Sequence, residues 1–237
     1  MRFIGNFATY PKYLLSFGDF YCGIANFAPY LSRWFSGLRV EVRVAIIDYN
    51  AGNVRSVENA VRRLGAEPHL TSSAREIRSA DKVIFPGVGE ASTTMADLRE
   101  KGLDEVIRSL RQPVLGICLG MQLLCAHSQE GDVDCLGILP ETVMRFQPQR
   151  HEDKIPHMGW DALKDVTGKM AEWTQEDAYV YFVHSYYVPQ SPYALALCDY
   201  VNPFTAAFQR DNFFATQFHP EKSFKVGEQI LKGFLEL

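Results

Sequence analysis

Val114-Leu-Gly-Ile-Cys118-Leu-Gly-Met-Gln122 decides the fold. Val114–Ile117 is a short apolar run and reads as a buried strand. Leu119–His127 reads as the helix that follows it. Between them lies Gly116-Ile-Cys118-Leu-Gly120, a glycine-x-nucleophile-x-glycine turn. Small flanking residues allow a sharp strand-to-helix corner that exposes the central side chain. A cysteine placed there sits at a helix N-terminus, where free N–H groups favour thiolate and can donate to an oxyanion. Ligands favour that edge of open α/β sheets.

Working outward, the same rhythm recurs on the N-terminal side. Arg43–Asp48 is a β-branched apolar run. Val54, Val57, Val61 and Leu64 then recur at helical spacing, and Gly65 closes that helix. Glu67–Thr71 and Lys82–Phe85 read as further strands. Ala91–Leu110 reads as one or two helices broken near Gly102. Alternating strands and helices imply an α/β fold: an open, mostly parallel sheet flanked by helices, with right-handed crossovers. The second half changes period. Ile138–Phe146, Tyr179–Val188, Ala194–Val201, Ala206–Arg210 and Phe213–Phe218 read as strands of an antiparallel extension, with a hairpin at Asp211-Asn212. Ser223–Leu237 reads as a closing helix with Ser223 as N-cap.

Composition places a boundary near residue 42. Of the 30 aromatic residues, 11 fall in residues 1–43, together with five basic and only two acidic residues. The remaining 194 residues carry 19 basic and 26 acidic side chains. The expected organisation is a leader, 1–42, without strand or helix period, and a catalytic domain, 43–237. The leader is expected to be disordered, or the product of a start site placed too far upstream. The domain's negative charge disfavours binding to nucleic acid. No run reaches the roughly 18 apolar residues of a membrane span. Five irregularly spaced cysteines fit free thiols in a reducing, cytoplasmic compartment. No zinc-ligand spacing is present, and neither metal nor cofactor is expected.

A cysteine nucleophile that must also protonate a leaving group needs an acid/base and something to orient it. His219 in Gln217-Phe-His219-Pro-Glu221-Lys222 follows an apolar strand, and Glu221 is close enough to hold its Nδ1 proton. An acid after the histidine departs from the α/β-hydrolase order. Pro86-Gly87-Val88-Gly89 ends the strand expected beside Cys118, and its N–H groups can form a second wall of an oxyanion hole. His184 reads as a structural strand residue, and His69, His127 and His151 as surface or loop residues.

These residues together resemble the class I (triad) glutamine amidotransferases. Within that class they resemble the glutaminase subunits of imidazole glycerol phosphate synthases, over about Val42–Leu237. Gly116–Gln122 is similar to the class nucleophile motif and His219-Pro-Glu221 to its His/Glu pair. Tyr49-Asn-Ala-Gly-Asn53, Pro86–Gly89 and Ile155-Pro-His-Met-Gly-Trp160 narrow the match. The resemblance implies that Cys118, His219 and Glu221 are catalytic. It implies that Gly87, Val88, Gly89 and Leu119 stabilise the oxyanion. Gln122, Ser185 and Tyr186 would hold L-glutamine. The implied partner is a (β/α)8 cyclase subunit, faced by Asn50, Asn53, Trp160, Tyr181 and Lys222. Two departures stand out. Asp161 occupies a position where the family usually has Asn, which puts a charge near the expected interface. Glu141 follows Pro140 where Gly is common. A glutaminase of another amidotransferase and a catalytically silent partner-binding scaffold are the alternatives.

Overall fold

A computed structural model describes residues 42–49 and 54–237. Residues 1–41 of the expected leader, and Asn50 and Asn53, lie outside the described residues. The main sheet has seven strands, in the spatial order Ala194–Asp199, Pro203–Arg210, Phe213–Thr216, Val114–Ile117, Lys82–Phe85, Arg43–Ile47 and Glu67–Thr71. These are β1 (Arg43–Ile47), β2 (Glu67–Thr71), β3 (Lys82–Phe85), β4 (Val114–Ile117), β11 (Ala194–Asp199), β12 (Pro203–Arg210) and β13 (Phe213–Thr216). β2, β1, β3, β4 and β13 run parallel. β12 and β11 continue the sheet antiparallel, and Asp211 turns the hairpin at a positive φ of 53°.

β3 and β4 are buried throughout, as parallel strands covered on both faces must be. Alternation along β1 divides the core. Val44 and Ile46 pack with Phe182, Phe204, Phe218 and Phe234 on one face. Ala45 and Ile47 pack with Phe85, Met95, Leu98 and Leu123 on the other. The first helix spans Arg55–Arg63 and buries Val57, Ala60 and Val61. The region 91–110 forms two helices, Ala91–Glu100 and Leu103–Arg108, parted by Gly102 at φ 64°.

Several expected bounds change, each for a physical reason. The helix after Cys118 ends at Leu123 rather than His127. The carbonyls of Leu123, Cys125 and Leu124 accept from the N–H groups of Leu136, Gly137 and Leu139, so the helix cannot continue. His127–Ser128 instead forms β5, in a small sheet with β6 (Val133–Asp134), β7 (Thr142–Arg145) and β10 (Tyr186–Tyr187). Only β7 remains of the strand expected over Ile138–Phe146. The run Tyr179–Val188 splits at Ser185. β9 (Tyr179–His184) pairs with β8 (His157–Ala162), whereas β10 pairs with β7. The strands of the second half are therefore shared among three sheets. β8 and the helices Ala74–Ser79 and Gly168–Trp173 have no counterpart in the sequence reading. The closing helix spans Phe224–Leu235. Among the described residues no helix is long and apolar enough to cross a membrane.

Candidate active site

β3, β4 and β13 are adjacent and parallel, so their C-terminal ends open at one edge of the sheet. Cys118 leaves β4 at φ 53° and ψ −108°, a region that a side chain occupies only under strain. Its N–H donates to the Thr216 carbonyl at 2.8 Å, which ties the corner to β13. A Cβ on Gly120 would drive into the Phe85 carbonyl oxygen, and one on Gly87 into the Gly120 nitrogen. Glycine at both places lets the elbow and the Pro86–Gly89 loop meet backbone to backbone. The helix that follows has only five residues. Its contribution is the first-turn N–H groups rather than a long macrodipole.

His219 follows β13. Its Nδ1 lies 2.8 Å from Glu221 Oε1, and both side chains are almost fully buried. Burial opposes a charge on His219, but hydrogen bonding to Cys118 and Glu221, and their charges, outweigh it. The imidazole is pushed up to about 10. With Nδ1 committed to Glu221, Nε2 is the atom left to meet the Cys118 sulfur. The turn is braced from β9: the His219 N–H donates to the Tyr181 carbonyl at 2.9 Å. Ser223 Oγ donates to the His219 carbonyl at 2.7 Å and accepts from the Tyr181 N–H at 3.0 Å. Ser223 thus occupies the N-cap position without capping the helix, because its hydroxyl is spent on the histidine turn.

A cavity of about 370 Å³ opens over Cys118. Gly87, Val88, Gly89, Leu119, Gln122, Ser185, Tyr186 and His219 line it, as does Lys222, read from sequence as partner-facing. Glu221 stands behind His219. Both N–H bonds of the Gln122 amide are used internally, to the Tyr186 carbonyl at 2.8 Å and to Gln217 Oε1 at 3.0 Å. Toward a ligand Gln122 is therefore an acceptor only.

Four residues at or near this cavity escaped the sequence reading. Glu130 lines it, and burial raises its carboxyl above the ordinary range despite a 3.0 Å hydrogen bond from the Ala91 N–H. Tyr49 donates to the Pro86 carbonyl at 2.7 Å. Gln217 places its amide nitrogen 3.7 Å from Cys118 Sγ. His157 pairs with His184, which lines the cavity although its sequence reading was structural. Gln217 beside His219, His157 within Ile155–Trp160 and Tyr49 within Tyr49–Asn53 lay in quoted segments but carried no role, and Glu130 lay in none.

Cys125, Cys135 and Cys198 are free and buried, like Cys118. Burial raises all three thiols, Cys135 to about 12. None of them lines the cavity, so they are inert by position and by protonation.

Trp160, Tyr181 and Lys222 come together on the surface. The Trp160 and Tyr181 rings meet edge-on at 5.9 Å, and Lys222 Nζ lies 5.9 Å from the Tyr181 ring centre. Phe224, unforeseen, stacks on Trp160 at 5.0 Å and is 77% exposed. Asp161 does not share the face of Trp160. Strand alternation turns it to the other face of β8, where Oδ2 lies 3.4 Å from His157 Nε2. Glu141 Oε1 accepts from Ser191 Oγ at 2.6 Å.

Residues 45–237 match the glutamine amidotransferase class-I family. The chain is 58% identical over 196 residues to the imidazole glycerol phosphate synthase subunit HisH of Bacteroides thetaiotaomicron, covering 83% of this chain and all of that one. It is 46% identical to the protein of the same name from Idiomarina loihiensis, covering 83% of this chain and 98% of that one. A solved glutamine amidotransferase superposes with a TM-score of 0.62 at 22% identity, covering 81% of this chain and 97% of the other, which supports the fold.

Proposed function

The chain belongs to the class-I glutamine amidotransferases, and we propose from that premise how Cys118, His219 and Glu221 do its work. It acts as the glutaminase subunit of an imidazole glycerol phosphate synthase, in histidine biosynthesis, and so has a partner subunit. In our reading residues 43–237 form the amidotransferase domain, with 1–42 a leader outside it. The enzyme works in the cytoplasm, where free thiols persist. One observation carries the mechanism: a strained cysteine at a strand end faces a histidine whose other nitrogen is held by a buried glutamate at 2.8 Å.

Cys118 Sγ attacks the side-chain carboxamide carbon of L-glutamine, and the carbonyl π pair moves onto oxygen. The Leu119 N–H and those of the Gly87–Gly89 loop stabilise that oxyanion. The Tyr49 hydroxyl ties this loop down through the Pro86 carbonyl, so rearranging it is a step that partner binding can drive. The tetrahedral intermediate collapses, its C–N bond breaks, and His219 Nε2 gives its proton to the departing nitrogen as ammonia leaves. Glu221 keeps the ring oriented throughout. Water, deprotonated by His219, then cleaves the thioester and releases glutamate. In the cavity, Glu130 is a carboxylate matched to the α-ammonium of glutamine, and Gln122 offers an acceptor. Ammonia passes to a (β/α)8 cyclase subunit that faces Trp160, Tyr181 and Lys222; Asn50 and Asn53 belong to the same expected set. There the ammonia reacts with a phosphoribulosyl aminoimidazole substrate, giving imidazole glycerol phosphate and an aminoimidazole carboxamide ribotide.

Replacing the nucleophile separates this from a silent scaffold. In the complex, Cys118→Ala should cut glutamine-dependent synthesis by about 10⁴-fold or more and leave ammonia-dependent synthesis intact. Unchanged glutamine-dependent synthesis would refute the mechanism. Mixing the wild-type protein with other synthases tests the choice of partner, since a glutaminase of another amidotransferase would be stimulated by one of them.

A further inference from the structure

A buried polar chain runs from β8 to the catalytic sulfur. His157 and His184 are directly opposed across the β8–β9 pair. His184 Nδ1 lies 2.7 Å from the Tyr186 carbonyl oxygen, so Nδ1 carries the proton and donates it. Burial holds this imidazole neutral, its pKa pushed down to about 3, which leaves Nε2 as an acceptor. The group facing Nε2 is His157 Nδ1, at 3.2 Å, so His157 is the donor of that bond. On its other side His157 Nε2 meets Asp161 Oδ2 at 3.4 Å. The Tyr186 carbonyl also accepts from Gln122, whose amide reaches Gln217, whose amide in turn reaches Cys118. Both lone pairs of one backbone oxygen are thus fixed by internal donors, at the point where the chain passes from β9 into β10.

We propose that His157 and His184 are positioning residues for glutamine: their mutual hydrogen bond sets the Ser185–Tyr186 wall of the cavity by holding the Tyr186 carbonyl against Gln122. The proposal rests on the glutaminase reading given above. It explains why two imidazoles are buried together where apolar side chains would pack as well. A buried donor or acceptor left without its partner costs about 1–3 kcal/mol, so the bond is worth keeping only if its geometry is used.

The rings also pack, His157 stacking on Tyr200 at 3.9 Å and on Phe182 at 4.8 Å. The test must separate packing from hydrogen bonding. His157→Phe keeps an aromatic ring and removes the donor. His157→Asn removes the ring and keeps a donor near the position of Nδ1. With the cyclase subunit present, His157→Phe should raise the KM for glutamine about tenfold while kcat changes far less. His157→Asn should recover most of that loss, and ammonia-dependent synthesis should stay at the wild-type rate in both. A normal KM in His157→Phe, or a larger defect in His157→Asn than in His157→Phe, overturns the proposal in favour of packing. Should His157→Phe fail to fold, His184 offers a second pair. His184→Asn keeps the donor to Tyr186 and His184→Gln withdraws it, so equal KM values in the two overturn the proposal. A wild-type complex without glutamine turnover would instead remove the glutaminase reading itself.

Discussion

His219 and His184 line the same cavity, yet their environments drive them to opposite charge states. His219, on the turn after β13, is pushed up to about 10 by Cys118 and Glu221 in spite of burial. His184, at the end of β9, is pushed down to about 3, first by burial and then by the charges of His157 and His219, against the hydrogen bond that it gives the Tyr186 carbonyl. The residue type is the same, so the neighbours decide the role. An imidazole between a thiol and a carboxylate can carry a proton to a leaving group. One fixed between a carbonyl and a donor can only hold geometry.

The sharpest way to break the contrast is to remove each side in turn. His219→Ala should lower glutamine hydrolysis by about 10²–10⁴-fold, the range of a lost acid/base, while ammonia-dependent synthesis by the complex persists. Steady-state assays with each nitrogen source check it. Glu221→Gln should have a smaller effect on rate and a distinct effect on pH. It takes away a charge that raises His219, so the alkaline limb of kcat/KM should move toward lower pH. A limb that stays in place would separate Glu221 from the histidine.

The same contrast should be readable in stability. The neutral native His184 binds fewer protons than the unfolded chain between its ordinary 6.5 and about 3. Its contribution is present above pH 6.5 and lost as pH falls through that window, by up to about 1.4 kcal/mol per pH unit. His219 has the opposite sign. Its contribution is complete below 6.5 and is lost as pH rises toward about 10. Urea titrations of His184→Asn should show a shallower loss of stability in acid than wild type, and those of His219→Asn a shallower loss in alkali. The smallest expected effect belongs to the Pro86–Gly89 loop. Tyr49→Phe releases the Pro86 carbonyl and loosens the loop, which should raise the partner-free glutaminase rate by a few-fold, about 1 kcal/mol, the size of one hydrogen bond.

What the sequence made legible was local. The β4 elbow, the His219–Glu221 spacing and the Pro86–Gly89 loop each lie within a few residues, and buried parallel strands declare themselves by apolar runs. All the cavity-lining residues expected around Cys118 do line it. What stayed hidden depends on pairing at a distance. His157 and His184 are 27 positions apart and meet only because β8 and β9 pair in that register. Strand alternation sets Asp161 on the face of β8 opposite Trp160, against His157. The helix after Cys118 was read too long because the segment 136–139, which takes its carbonyls, carries no local signal. Ser223 looked like a helix cap, whereas tertiary contacts with His219 and Tyr181 had the stronger claim on its hydroxyl.

The central claim is that one sulfur among the described cysteines is a nucleophile and the others are not. It is tested most directly by treating the complex with an electrophilic glutamine analogue and mapping the adduct by mass spectrometry. The account predicts a single adduct, on Cys118, that excess glutamine prevents and that His219→Ala slows. Labelling of Cys125, Cys135 or Cys198 in its place, or none at Cys118, would contradict it.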